Sequence, residues 1–178
     1  MTNDKNIRSY TISVLVNDQP GVLQRVCGLF GRRGFNIESI TVGGSEQAGL
    51  SRMTLVTTGD EATLEQVQKQ LNKLIDVIAI TDLNSGSSVS REIALIKVKA
   101  EPALRPEIFG VVETFRASVI DIGPNSVIVQ AVGESEKIEA FVMLLQPYGV
   151  LEIARTGSTA MIRGEQAEAS ADKLYALS

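Results

Sequence analysis

The apolar residues of this chain run through the same order of periods twice, and that constrains the fold more than any other property. From Ser9, "SYTISVLV" sets Tyr10, Ile12, Val14 and Val16 at alternate positions, the period of a half-buried strand. After "NDQPGVL" the period changes. Val22, Leu23, Val26, Cys27, Leu29 and Phe30 trace one face of a helix, and Gly34 after Arg32 and Arg33 is a helix end: basic residues near the negative dipole terminus, then a glycine for the left-handed turn. "NIESITV" reads as a second strand, "GGSEQAG" as a hairpin loop and "LSRMTLVTT" as a third strand. Asp60 is placed to cap a helix that buries Leu64, Val67, Leu71 and Leu74, and "DVIAITDL" follows as a fourth strand. The order β-α-β-β-α-β is that of a ferredoxin-like unit.

The pattern restarts after the small, polar stretch "NSGSSVS", read as a linker. "REIALIKVKA" is strand-like. Ile108, Val111, Val112 and Phe115 make a helix face, with Pro106 suited to its first turn. "SVIDI" and "NSVIVQAVG" are strands joined by a tight turn near Gly123 and Pro124. Ser135 caps a helix carrying Ile138, Phe141, Val142 and Leu145, which Pro147 and Gly149 end, and "VLEIARTG" completes the set. The reading is an α+β chain of two tandem ferredoxin-like βαββαβ domains, residues 8–83 and 91–164, with a linker at 84–90 and a disordered tail at 165–178, in which "ADKLYAL" has the makings of a short docking helix.

Composition removes whole classes of function. The chain has no histidine, so there is no Ser-His-Asp triad, no Cys-His pair and no His-ligated zinc, and the one cysteine, Cys27, cannot build a thiolate metal site or an internal disulfide. No catalytic and no metal-ligating constellation is visible. Cys27 lies on the apolar helix face and reads as a buried thiol. A net charge of −4 and 4% aromatic residues argue against nucleic acid, no run is apolar enough to span a membrane, and the N-terminus lacks a secretory pattern, so the expectation is a cytoplasmic protein. Gly28, Gly31 and Gly34 lie within and after a helix, where they suit close helix packing and not a phosphate loop.

"NDQPGVL", residues 17–23, is the segment with binding chemistry. It joins the first strand to the first helix, where unpaired N–H groups favour an anion. Pro20 has no N–H to leave unpaired, Gly21 lets a ligand approach the backbone, and Asp18 adds a negative charge. Donors for a carboxylate beside an acceptor for an ammonium suit a free α-amino acid. Val22, Leu23 and Ile37 supply apolar neighbours for its side chain, and Asn36 can bond either end of the zwitterion. The plainer alternative is that Asp18 caps the helix and Pro-Gly is a turn.

"NDQPGVLQRVCGLFGRRGFNIESITV", followed by "LSRMTLVTTGDE", resembles the small regulatory subunits of acetolactate synthase (acetohydroxyacid synthase), and the likeness extends through "KVKA", "SVIDI" and "EIARTG" in the second half, from about Arg8 to Gly164. "GLFGRRGFNIES" with "SRMT" is specific to that family, whereas "PGVL" alone marks only an ACT domain, the amino-acid-binding form of the ferredoxin-like unit. The resemblance implies an ACT domain at 8–83 that forms a homodimer. It implies a non-catalytic transferase subunit whose partner is a large catalytic subunit carrying thiamine diphosphate, magnesium and FAD. It further implies activation of that partner (two pyruvates to acetolactate and CO2) and feedback inhibition by valine or another branched-chain amino acid. The effector then sits between the strand-helix loop of one copy and the second strand of the other, at positions corresponding to Asp18, Gly21, Val22, Leu23, Asn36 and Ile37. Competing readings are a stand-alone amino-acid-sensing ACT protein acting on another enzyme or on transcription, and an acylphosphatase-like hydrolase, for which Arg25 lies too far inside the helix.

Overall fold

The structure is a computed structural model that describes residues 7–84 and 87–164. These divide into two compact units, one of residues 7–84, 87–89 and 159–164, the other of residues 90–158. The expected disordered tail lies outside the described residues.

The first unit runs β1 (Arg8–Asn17), α1 (Val22–Arg33), β2 (Ser39–Gly44), β3 (Leu50–Gly59), α2 (Glu61–Leu71) and β4 (Val77–Asp82). Its sheet has the order β2-β3-β1-β4. Alternation along β1 sends Ile12, Val14 and Val16 to the helix-covered face, where all three are buried. β3 pairs antiparallel with β1 along its whole length, from Arg8 opposite Gly59 to Asn17 opposite Leu50. β2 pairs antiparallel with β3, from Ser39 opposite Val56 to Gly44 opposite Ser51. β1 and β2 therefore run in the same direction, because α1 carries the chain back along the sheet before β2 begins. Val22, Val26, Leu29 and Phe30 of α1 and Val67 and Leu71 of α2 close the core against Met53 and Leu55. Fully burying side chains of this size contributes roughly 1.5–3 kcal/mol each.

The helix ends follow the sequence in most respects. Gly34 is left-handed (φ 68°), and its N–H bonds the Gly31 carbonyl. Asp60 caps α2, its Oδ1 accepting from the Thr63 N–H at 2.8 Å. Gly28 and Gly31 depart from the expected packing role. A Cβ on Gly31 would meet nothing within 4 Å, and one on Gly28 would meet only the Arg32 side chain. Among the described residues neither position is therefore packed closely against a second helix.

The second unit repeats the order with β5 (Ser88–Lys99), α3 (Arg105–Thr114), β6 (Ser118–Ile122), β7 (Ser126–Gly133), α4 (Ser135–Leu145), a 3-10 turn (Gln146–Tyr148) and β8 (Val150–Arg155). Its sheet order is β6-β7-β5-β8. Ala94, Ile96 and Val98 of β5 pack with Val127 and Val129 of β7 under Ile108 of α3 and Phe141 of α4.

Three local readings change. β5 begins at Ser88, so residues 88–90, read as linker, are strand. They gain a partner in β9 (Thr159–Ile162), which pairs with β5 and lies against β1; the Arg163 N–H bonds the Ser87 carbonyl. Ser135 does not cap α4. Glu134 is the N-cap residue, without a side-chain hydrogen bond, and the Ser135 hydroxyl instead accepts from Arg155. Arg155 also pairs with the buried Glu92.

Candidate functional site

The β1–α1 loop is held from three sides. The Asn17 N–H donates to the Asp76 carbonyl at 2.9 Å, the Asp18 N–H donates to the Gly49 carbonyl at 2.8 Å, and the Gln19 N–H turns back to the Asn17 carbonyl at 3.0 Å. The chain enters α1 through Gly21, whose φ of 84° lies in the left-handed region that glycine adopts without strain. The N–H groups of Leu23 and Gln24 have no backbone acceptor among the described residues, as the first turn of a helix requires.

Asp18 is not a helix cap: Gly21 holds the N-cap position, and no side chain bonds the first turn. The Asp18 carboxylate is exposed and has no partner among the described residues. Leu23, 45% exposed, faces outward beside it, whereas Val22 is 3% exposed and belongs to the core. Val22 shapes the loop from below and offers a ligand no open surface.

Arg25, one turn into α1, reaches back over the loop. Its Nε donates to Asp76 Oδ2 at 2.7 Å, and its Nη1 lies 3.1 Å from where a Cβ on Gly21 would stand. The hydrogen bond to Asp76 raises the Arg25 pKa above its ordinary value. Neither Asp76 nor its tie to Arg25 is visible in the spacing of the sequence, because β4 brings Asp76 to the loop from 51 residues away.

Asn36 and Ile37 lie elsewhere. β2 starts at Ser39 and not at Asn36, and the preceding residues run beside the end of β3: the Glu38 N–H donates to the Val56 carbonyl at 2.8 Å, and Thr57 Oγ1 donates to the Asn36 carbonyl at 2.5 Å. Thr57 is opposite Tyr10, near the start of β1, while the loop follows Asn17 at its end. At about 3.3 Å per residue the two groups stand roughly 20 Å apart. A single chain therefore brings Asp18, Gly21, Val22 and Leu23 together at one end of the sheet and places Asn36 and Ile37 at the other. Within one chain the six residues therefore do not form one pocket. Asn36 is exposed, and Ile37 is half-buried against the core.

A cavity of about 310 Å³ lined by Arg8, Tyr10, Asp60, Glu61 and Ala62 opens where β1 starts, away from the β1–α1 loop. Among the described residues no three His, Cys, Asp or Glu side chains are grouped to hold a metal ion, and no helix is long and apolar enough to cross a membrane.

The two units correspond to two family models: the "AHAS small subunit-like ACT domain" matches residues 12–79, and the "Small subunit of acetolactate synthase" matches residues 91–164. The chain belongs to the acetolactate synthase small subunit family. The acetolactate synthase small subunit of Bacillus subtilis is 53% identical over 167 residues, covering 93% of this chain and 97% of that protein. A probable acetolactate synthase small subunit of Methanothermobacter thermautotrophicus is 52% identical over 159 residues, covering 89% and 95%. The crystal structure of the acetolactate synthase small subunit of Thermotoga maritima superposes with a TM-score of 0.83 at 46% identity, covering 89% of this chain and 99% of that one. The family thus accounts for both ferredoxin-like units, and the first is its ACT domain.

Proposed function

We propose that this chain is a regulatory subunit that activates a thiamine-diphosphate-dependent acetolactate synthase catalytic subunit and makes it sensitive to valine or a related branched-chain amino acid. On this reading thiamine diphosphate, magnesium and FAD belong to the catalytic partner, and the chain itself contributes binding and conformational coupling. Its effector is held between two copies, with the Asp18–Leu23 loop from one and Asn36 and Ile37 from the other.

The observation that carries this reading is the separation of the two groups along one sheet. β2 is an edge strand. Two copies that pair their β2 strands antiparallel about a two-fold axis bring the start of one β2 beside the end of the other, which sets Asn36 and Ile37 of each copy at the loop end of its neighbour. The loop offers N–H donors to a carboxylate and the Asp18 carboxylate to an ammonium, and Leu23 offers apolar surface to a branched side chain.

The test is to assay acetolactate formation by a catalytic subunit alone, with this chain, and with this chain plus valine. The expected result is a rise on adding the chain, a fall on adding valine, and no acetolactate from the chain by itself. A catalytic subunit whose rate ignores the chain overturns the reading.

A further inference from the structure

Thr57 stands out among the polar side chains of the first unit. It is fully buried, at 0% exposure, on the helix-covered side of β3 opposite Tyr10. A hydroxyl in that setting is costly unless it is bonded, and valine would fill the same volume without the cost. The Thr57 hydroxyl donates to the main-chain carbonyl of Asn36 at 2.5 Å. That carbonyl belongs to an exposed residue and could take water instead. Satisfying the carbonyl therefore does not require Thr57; what the bond adds is a fixed direction for the peptide that carries the Asn36 side chain.

The rest of the segment is pinned on either side. The Phe35 N–H bonds the Phe30 carbonyl at 3.0 Å, and the two rings meet edge to face with centroids 6.0 Å apart. The Glu38 N–H bonds Val56, and the Glu38 carboxylate accepts from the hydroxyls of Ser9 and Thr58. Between these anchors the Asn36 amide is exposed and has no partner among the described residues. Thr57 holds that one position from inside the core.

We propose that Thr57 is a positioning residue for effector recognition: by fixing the Asn36 carbonyl it aims the Asn36 amide at an amino acid bound against the neighbouring copy. This rests on the effector reading above. A side chain whose own backbone is fixed before binding has fewer orientations to lose when the ligand arrives, so the bond acts on affinity for the effector and not on activation of the catalytic subunit.

The experiment compares full-length Thr57→Val, Thr57→Ser, Asn36→Ala and the Thr57→Val/Asn36→Ala double variant in complex with the catalytic subunit. Two quantities are read: the valine concentration giving half-maximal inhibition, and the activation without valine. Thr57→Val is expected to raise the half-inhibitory concentration by about fivefold to tenfold at unchanged activation, a size in keeping with one hydrogen bond. Thr57→Ser, which keeps the hydroxyl, should stay within about twofold of wild type by the same reasoning. In the Asn36→Ala background, Thr57→Val should add nothing, because its effect passes through Asn36. A purely structural role for Thr57 would instead give independent effects that multiply. A wild-type response that Thr57→Val leaves unchanged, or shifts that multiply in the double variant, overturns this inference alone. A wild-type complex with no valine response overturns it together with the effector reading.

Discussion

Asp76 holds both flanks of the β1–α1 loop, its side chain accepting from Arg25 Nε at 2.7 Å and its main-chain carbonyl accepting from the N–H of Asn17 at 2.9 Å. One residue at the entrance to β4 thus ties the last residue of β1 to the first turn of α1. The Asp76 side chain is 9% exposed and that of Arg25 46%, so the pair is a buried anion held by a half-exposed cation. Its attraction is partly screened, yet the carboxylate has lost most of its water and depends on the guanidinium.

That asymmetry predicts an order of stabilities. Arg25→Met leaves the buried carboxylate without its partner and should lower the melting temperature. Arg25→Met combined with Asp76→Asn removes the uncompensated charge and should melt higher than Arg25→Met alone, although it contains one more substitution. Thermal melts of the two variants and wild type decide it. A double variant less stable than the single would show that the carboxylate does not depend on Arg25.

Gly21 gives a second prediction. Its φ of 84° strains any residue with a Cβ, and a Cβ there would stand 3.1 Å from Arg25 Nη1. Gly21→Ala should cost about 1 kcal/mol from the backbone alone. Gly21→Asn should cost less, since asparagine tolerates the left-handed region. For a unit of this size about 1 kcal/mol corresponds to roughly 4–8 °C in melting temperature. Equal melting of the alanine and asparagine variants would show that crowding, not backbone strain, sets the cost.

Most elements were legible in the sequence because each declares its own period. β1 alternates at Tyr10, Ile12, Val14 and Val16, α1 has its apolar face and its glycine end, and Asp60 precedes a helix that it does cap. β9 was not legible: "TAMI" is four residues with one buried side chain, Ala160, and it is a strand because "SVS" at the start of β5 pairs with it. The same serines read as linker because small polar residues favour loops until a neighbour supplies hydrogen bonds. The candidate site residues were chosen for their chemistry, and the family resemblance, not their spacing, divided them between two copies. Asn36 follows the loop by fewer than twenty residues in sequence, yet α1 spends those residues returning along the sheet. Thr57 and Asp76, which hold the two groups in place, carry no linear signal; their roles exist only once β3 and β4 are paired.

Arg105 makes a prediction for the second unit. From the first turn of α3 its Nη2 donates to the carbonyls of Gly123 at 2.8 Å and Pro124 at 2.7 Å, and its Nε to that of Ala100 at 3.3 Å. It staples the β5–α3 loop to the β6–β7 turn. Arg105→Ala should destabilise the second unit by about 1–2 kcal/mol, since the released carbonyls can take water. Arg105→Lys should recover little, because one ammonium cannot reproduce the guanidinium fork. Hydrogen exchange at residues 100–104 and 123–126 should rise in both variants, and valine binding in the first unit should be unchanged. Unaltered exchange in that turn would show that the staple carries no load.

The most discriminating prediction follows from the roughly 20 Å between the loop and Asn36 along the sheet. Asn36→Ala should weaken valine by about tenfold to a hundredfold, the loss expected when a hydrogen bond to a charged group is removed. Asp18→Ala removes an exposed carboxylate with no partner among the described residues, so it should impair the site without disturbing the fold. On the two-copy reading proposed above, each variant alone would form dimers in which both sites are damaged. In a mixed dimer the undamaged loop of the Asn36→Ala chain faces the undamaged Asn36 of the Asp18→Ala chain, so one site of the two is whole. Random exchange of equal amounts makes half the dimers mixed, and so about a quarter of all sites should bind valine with wild-type affinity. Calorimetric titration of the co-refolded mixture against each variant alone measures that fraction. If each site lay within one chain, mixing would restore nothing, because every chain carries a lesion. A mixture that binds no better than its components would therefore place the effector inside a single subunit, and a restored tight fraction would place it between two.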